Sequence, residues 1–174
     1  LSDEKVLHVF LEELVYNISM IEGSILTREQ LRDIIFGSNL IKNRGLLIHL
    51  IPVNHVVLLK DIFAGLYRPP VDNFLITKFY KTLMHGVEDG INKKLRKEWA
   101  ILGVNFNLVH PDNIEQEMLR FYDQVNQVSA PFMEHIAKTQ SKFEAIRPFN
   151  KGSSSLAQLI RVFQLIQEGY APCV

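Results

Sequence analysis

Phe143-Glu144-Ala145-Ile146-Arg147-Pro148-Phe149-Asn150-Lys151-Gly152-Ser153-Ser154-Ser155-Leu156-Ala157-Gln158-Leu159-Ile160 decides how this chain is read. An apolar pattern through Phe132, Ile136, Phe143 and Ile146 has helical spacing. Pro148 breaks it, because proline donates no N–H and its ring clashes with the preceding turn. Gly152 and a serine run then lead into a last helix, Leu156 to about Glu168, which Gly169 stops. The stretch therefore reads as helix, tight turn, helix, with small polar residues where the second helix starts. Serines are common there simply as caps. The same place gathers backbone N–H groups that can hold an anion. Both readings stand on the residues alone.

Outward from this stretch the chain is mostly helical. Val6, Phe10, Leu11, Leu14 and Ile18 make one apolar face after a cap at Ser2 or Asp3, and Gly23 ends that helix. Thr27-Arg28-Glu29-Gln30 is a capping box opening a helix through Leu31, Ile34 and Ile35. Residues 38–53 are ambiguous: Gly45 to Ile51 fits a strand or a buried helical turn. Asn54 is expected to start a helix through Val57, Leu58, Ile62 and Phe63, and Asp72 to cap another through Phe74, Leu75, Phe79 and Leu83. Residues 95–109 partly alternate and contain turn residues, which predicts a short hairpin or extended flap. Pro111 and Asp112 open a further helix, with Glu115 completing a second capping box, and Ser129 begins the next. The expectation is mainly α: about seven helices with one small β-hairpin, in a single domain over residues 1–174.

Two separated segments resemble one family. Leu14-Val15-Tyr16-Asn17-Ile18-Ser19-Met20-Ile21-Glu22-Gly23-Ser24-Ile25-Leu26-Thr27 is similar to the N-terminal inhibitory helix of Fic proteins, (S/T)xxxE(G/N), with the "LT" helix start that follows it. Phe143 to Ile160 resembles the Fic signature FxxIHPFx(D/E)GNGRxxRLL, and Gly169-Tyr170-Ala171-Pro172 resembles the family's "GYPP" ending. Arg96 to Val109 falls where the family has its flap over the target peptide, and Pro111 to Asn126 where it has a proline-led helix. The resemblance thus spans about residues 5–172. It divides the chain into an inhibitory-helix-like segment (1–24), a flap (95–109) and a degenerate loop and helix start (147–158).

The resemblance implies transfer of a nucleotide monophosphate, usually AMP from ATP, to a protein hydroxyl. A histidine would serve as general base, an acidic residue would hold Mg²⁺, and a glycine-rich helix N-terminus with arginines would cradle the phosphates. This sequence departs at each point. Arg147 stands at the histidine position, and a guanidinium has no lone pair to accept a proton. Lys151 stands at the acidic position, where a cation repels a metal that needs oxygen ligands. Ser153-Ser154-Ser155 replaces Asn-Gly-Arg, and Gln158 replaces the second arginine. What remains is a candidate phosphate site at Gly152, Ser153, Ser154 and Ser155, with Arg147 and Lys151 adding charge. In the family the inhibitory glutamate pairs with the second arginine. Here Glu22, next to Gly23, would face Gln158 and make at most a neutral hydrogen bond.

Composition sets bounds on function. Lys plus Arg and Asp plus Glu number 19 each, so no net field recruits nucleic acid or an anionic membrane. Cys173 is the one cysteine, which excludes an intrachain disulfide and fits a reducing cytosol. No apolar run is expected to reach a membrane span of about 18 residues. The six histidines (8, 49, 55, 85, 110 and 135) lack metal-ligand spacing. His110-Pro111-Asp112 matches the HPD tripeptide of J-domain co-chaperones but lacks its basic helical hairpin, and Asp112 is explained as a cap. Lys93-Lys94-Leu95-Arg96-Lys97 reads as a solvated helix end or as a contact for an acidic partner. Trp99 and Phe106 read as core or flap packing.

The reading is a Fic-fold pseudoenzyme that binds a protein partner through the flap and loop groove. ATP or another nucleotide is an optional ligand, and Mg²⁺ is not expected. The alternative is an active nucleotidyl or phosphoryl transferase with rearranged residues, in which Glu144 or Glu22 would replace the base. The expected location is a cytoplasm, or a host cytosol for an effector.

Overall fold

The computed structural model describes residues 4–37, 39–87, 95–99, 108–128 and 131–172. Seven α-helices stand among them: α1 (Glu4–Ile21), α2 (Arg28–Ile35), α3 (Leu46–Phe63), α4 (Asn73–Leu83), α5 (Ile114–Asn126), α6 (Phe132–Ile146) and α7 (Ser153–Gln167). α7 is the central element. Leu156, Ala157, Leu159, Ile160, Val162, Phe163 and Leu165 are all buried, so it is apolar nearly all round, as a helix enclosed by others must be. It packs against α1, α3, α4 and α6, while α5 packs against α6.

Local sequence explains most boundaries. Thr27 and Gln30 form the expected capping box, satisfying backbone donors that have no partner within the helix. The Asp72 carboxylate accepts from the Leu75 amide and caps α4. α1 ends in a Schellman turn: Ser24 N–H donates to Ser19 O and Gly23 N–H to Met20 O, with Gly23 at φ 80°. Arg32 forks onto the Glu12 carboxylate at 2.8 Å through both nitrogens, and Arg28 pairs with Glu13, which fixes α2 against α1.

Several expectations need correction. α3 starts at Leu46 rather than Asn54 and runs through Pro52. The His49 ring secures its first turn: Nδ1 donates to Gly45 O at 3.1 Å, and Nε2 accepts from Ile41 N at 2.8 Å. Tertiary packing of an apolar helix here outweighs the proline penalty. α3 is also long and apolar enough, by composition, to cross a membrane, contrary to the expectation that no run reaches that length. In this fold it packs on α1, α2, α4 and α7. Asn54 is not a cap; it is buried and donates to the carbonyls of Leu83 and His85 at the end of α4.

Ahead of α5 the expected Asp112–Glu115 capping box gives way to a 3₁₀ turn, Pro111–Asn113, in which His110 Nδ1 accepts from the Asp112 amide at 3.3 Å. Asn113, at the α5 cap position, makes no side-chain cap bond. α6 begins at Phe132 behind Pro131; Ser129 lies outside the described residues. α7 begins at Ser153, earlier than the apolar pattern indicated, because the serines are themselves helical. The β-hairpin expected over 95–109 is not seen. No strand stands among the described residues, and 100–107, with Phe106, lie outside them, as do Ser2, Asp3, Lys93, Lys94 and Cys173.

Candidate functional site

The loop between α6 and α7 is held by a buried aromatic ring and a doubly hydrogen-bonded serine. Phe149 is fully buried and stacks on Tyr80 with ring centroids 3.9 Å apart. Ser153 is buried too. Its hydroxyl donates to Phe149 O at 2.8 Å and accepts from Phe149 N at 3.0 Å, closing the turn. Gly152 adopts φ 70°, and a Cβ there would sit 3.0 Å from Met84 Sδ and 3.4 Å from Leu83 Cδ2. Glycine is required for both the left-handed backbone and the close approach. Because Asn54 pins the end of α4, it also sets the position of Met84 beneath this glycine.

Arg147 terminates α6. Its amide donates to Phe143 O at 2.8 Å, and its backbone is left-handed at φ 43°, unusual for a residue with a side chain. The guanidinium reaches forward and donates to Ser154 Oγ at 2.9 Å. Arg147 and Ser154 are therefore brought together, at the base position and the helix start of the expected site. Lys151 is exposed on the same loop.

Glu22 reaches the site from the other end of the chain. Its carboxylate accepts a 2.6 Å hydrogen bond from the Ser155 amide, in the first turn of α7. A carboxylate at a helix N-terminus is favoured by the unpaired N–H groups and the positive end of the helix dipole. The expected Glu22–Gln158 contact does not form. Gln158 is buried and donates instead to Glu144 at 3.3 Å; Glu144 also accepts from Gln140 at 3.2 Å. The Gln158 side-chain oxygen is buried with no protein partner.

Arg96 is the main residue the sequence reading missed. The basic run around it reads as solvated or as a partner contact, yet Arg96 is only 1% exposed. Its Nε donates to Arg147 O, and its terminal nitrogens to the carbonyls of Glu98, Val109 and Ile146. Its own amide donates to Pro148 O at 2.8 Å. One guanidinium thus satisfies the last carbonyls of α6, where helix geometry leaves acceptors unpaired and the dipole is negative. Burial, and secondarily the nearby Arg147 cation, push the Arg96 pKa down. The one available signal was Leu95, which interrupts the basic run and packs against the core.

A groove of about 790 Å³ adjoins this clamp, lined by Leu95, Lys97, Asp112, Glu115, Leu119 and Tyr122 among others. Trp99 is exposed and sits edge-on to His110, with ring centroids 5.3 Å apart. No cluster of histidine, cysteine and acidic side chains suited to a metal occurs among the described residues. The arrangement offers donors for an anion: the start of α7 and the Arg147 guanidinium. The Ser155 amide is already engaged by a carboxylate of the chain itself.

Comparison with known proteins agrees with the geometry. The family model described as Fic/DOC matches residues 70–165. Among solved structures, a Fic-domain-containing signaling protein from Bacteroides thetaiotaomicron is similar with a TM-score of 0.80 at 24% identity, over 96% of this chain and 66% of that one. A Fic family protein from Desulfovibrio desulfuricans gives a TM-score of 0.81 at 15% identity, over 96% and 51%. Fic-1 (residues 134–508) from C. elegans gives 0.76 at 18% identity, over 96% and 50%. The chain spans between half and two thirds of these longer chains. A search of curated proteins finds no match. The family match covers more than half of the sequence, and the helical fold is shared with these structures: the chain belongs to the Fic/DOC family.

Proposed function

We propose that this Fic-family chain is a pseudoenzyme that binds a protein partner, with phosphate or a nucleotide as an optional ligand, and performs no AMP transfer. The observation that carries the reading is Arg147. It occupies the position of the family's proton acceptor and donates its own hydrogen to Ser154 Oγ. Loss of general-base assistance typically costs about 10²–10⁴ in rate. The metal position holds Lys151, which supplies no oxygen.

A rearranged transferase would need a carboxylate to take the proton from the attacking hydroxyl. Glu144 is held by two glutamine amides, and Glu22 is committed to the Ser155 amide, which weighs against both. For the partner, the groove beside Arg96 combines apolar Leu119 and Met118 with Lys97, Asp112 and Glu115, a mixed-charge rim suited to a peptide segment.

Incubation with labelled ATP, GTP or a UDP-sugar and Mg²⁺ or Mn²⁺ tests the reading. No label is expected on the chain or on proteins of a lysate. Labelling that disappears in Arg147→Ala or Lys151→Ala would overturn it in favour of the transferase.

A further inference from the structure

α3 packs on α1, α2, α4 and α7, but one line along it stays outside. Leu46, Val53 and Val57 follow one another at seven- and four-residue spacing, which places them on one side of the helix. All three are exposed, Leu46 to 64%. Leu47 widens this face, and Leu40, 76% exposed, stands in the segment just before the helix. Fewer than half of the residues of α3 are buried. His49 holds the preceding segment in place: its ring accepts from the Ile41 amide and donates to Gly45 O, while Ile41 packs on the core. Leu40 and Leu46 therefore project from fixed backbone, and apolar faces presented in this way mark contact surfaces.

Charge narrows what can cover the face. From Ile34 to Lys60 the sequence has no Asp or Glu, although the chain as a whole is neutral. The exposed charges are Lys42 and Arg44 before α3 and Lys60 near its end. None of the three makes an ion pair among the described residues. An apolar line is thus bracketed by cations. A second copy fits poorly. Antiparallel pairing that sets Leu46 against Val57 brings Lys60 beside Lys42 and Arg44 of the other copy, and parallel pairing sets Lys60 on Lys60. A wholly apolar partner would strip water from the cations and return nothing. The complement is apolar in the middle and anionic at both margins. Side chains as exposed as Leu40 and Leu46 protrude, so the partner must receive them without a matching groove on this side, which a lipid surface does.

We propose that α3 and the segment before it rest on an anionic lipid surface. Leu40, Leu46, Val53 and Val57 enter the boundary between headgroups and acyl chains. Lys42, Arg44 and Lys60 meet the headgroup phosphates and carboxylates, with their stems along the apolar face. α3 lies on the bilayer and does not cross it, because its other sides are packed against the fold. A single face of this kind gives weak, reversible contact.

Co-sedimentation of the full chain with sucrose-loaded vesicles tests this, using phosphatidylcholine alone or in equal parts with phosphatidylserine. The chain is expected to sediment with the mixed vesicles, at least about tenfold more weakly with phosphatidylcholine alone, and less as salt rises. Lys42→Gln with Arg44→Gln should weaken binding roughly thirtyfold, and Leu40→Ser with Leu46→Ser at least about tenfold. These side chains are exposed, so an unchanged urea midpoint shows that the variants stay folded. Leu46→Trp in a Trp99→Phe background should shift its emission to the blue on mixed vesicles and be quenched by lipids brominated on the acyl chain. The proposal is overturned by no sedimentation, by equal binding to phosphatidylcholine alone, by binding that survives either pair of substitutions, or by an unshifted emission in the bound protein. A dimer that Leu46→Ser dissociates would overturn it and give the face to a second copy. Tighter binding to soluble polyglutamate than to mixed vesicles would give it to an acidic protein. None of these readouts involves a nucleotide, so they stand apart from the outcome of the transfer assay.

Discussion

The Glu22 carboxylate and the Ser155 backbone amide, 133 residues apart in sequence, are joined by a 2.6 Å hydrogen bond. It links the C-terminal end of α1 to the N-terminal turn of α7. Gly23 makes it geometrically available, because the Schellman turn that closes α1 places Glu22 at the cap position. A charged acceptor at a helix start is a cap supplied from elsewhere in the chain, and it excludes another anion from the same amide.

Glu22→Ala is therefore expected to have opposite effects on stability and anion binding. Stability should fall by about 0.5–1.5 kcal/mol, the usual cost of losing an N-cap acceptor. Inorganic phosphate should bind more tightly, because the seat is vacated. Urea unfolding and the Ser155 amide shift on phosphate titration measure the two. An unchanged phosphate affinity would mean that the carboxylate is not in competition.

Arg96 clamps the other side of the loop through four backbone carbonyls. Arg96→Met leaves buried acceptors without donors and should cost at least about 3 kcal/mol. Arg96→Lys should restore little, since an ammonium cannot span the fork that the planar guanidinium makes. Denaturant unfolding of the three proteins gives the ranking. A loss below about 1 kcal/mol for Arg96→Met would contradict the clamp.

Gly152→Ala is expected to destabilise by about 1–2 kcal/mol, from the left-handed backbone plus the contact with Met84 Sδ. Met84→Ala in the same chain removes the contact but not the backbone strain, so it should reduce the penalty of Gly152→Ala. A double-mutant cycle by thermal unfolding checks this, and strict additivity would contradict it.

His55 sets a pH dependence of stability. Burial lowers its folded-state pKa below the ordinary 6.5. As pH falls through the unfolded value, the unfolded chain takes up a proton that the folded ring refuses, so stability declines until the folded pKa is reached. Above the unfolded value the term is constant. Unfolding free energy should drop between pH 7.5 and pH 5, and His55→Phe should flatten that decline. The lowered carboxyls of Glu13 and Glu117 act in the same direction but at more acidic pH, below the ordinary 4.5, where their ion pairs with Arg28, Lys142 and Arg120 are lost on protonation.

Much of this was legible from residues whose role is local. Thr27 with Gln30, Asp72 and Pro148 act within a turn of themselves, and the motif order placed the α6–α7 loop without any tertiary information. What escaped depended on partners far along the chain. Arg96 looked like one cation in a basic run because nothing nearby in sequence reveals the carbonyls of Ile146 and Arg147 that it satisfies. The family pairing of the inhibitory glutamate with an arginine points Glu22 to Gln158, but it bonds the Ser155 amide instead. A glutamine amide has no charge to attract it, and the amide at the positive end of α7 does better. The start of α3 was obscured by Pro52, a breaker in isolation that a helix packed on four others accommodates. Asp112 is the cap that the sequence suggests ahead of α5, yet it is the His110 ring that accepts from the Asp112 amide.

In the proposed reading the α6–α7 loop lacks the groups for transfer and is not merely blocked by Glu22. Incorporation of label from ATP and Mg²⁺ by Glu22→Ala separates the two, because removing the carboxylate frees the Ser155 amide without supplying a base or a metal ligand. No incorporation above that of Glu22→Ala combined with Arg147→Ala is expected. Labelling by Glu22→Ala that is lost in the double variant would contradict it and mark the chain as an inhibited transferase.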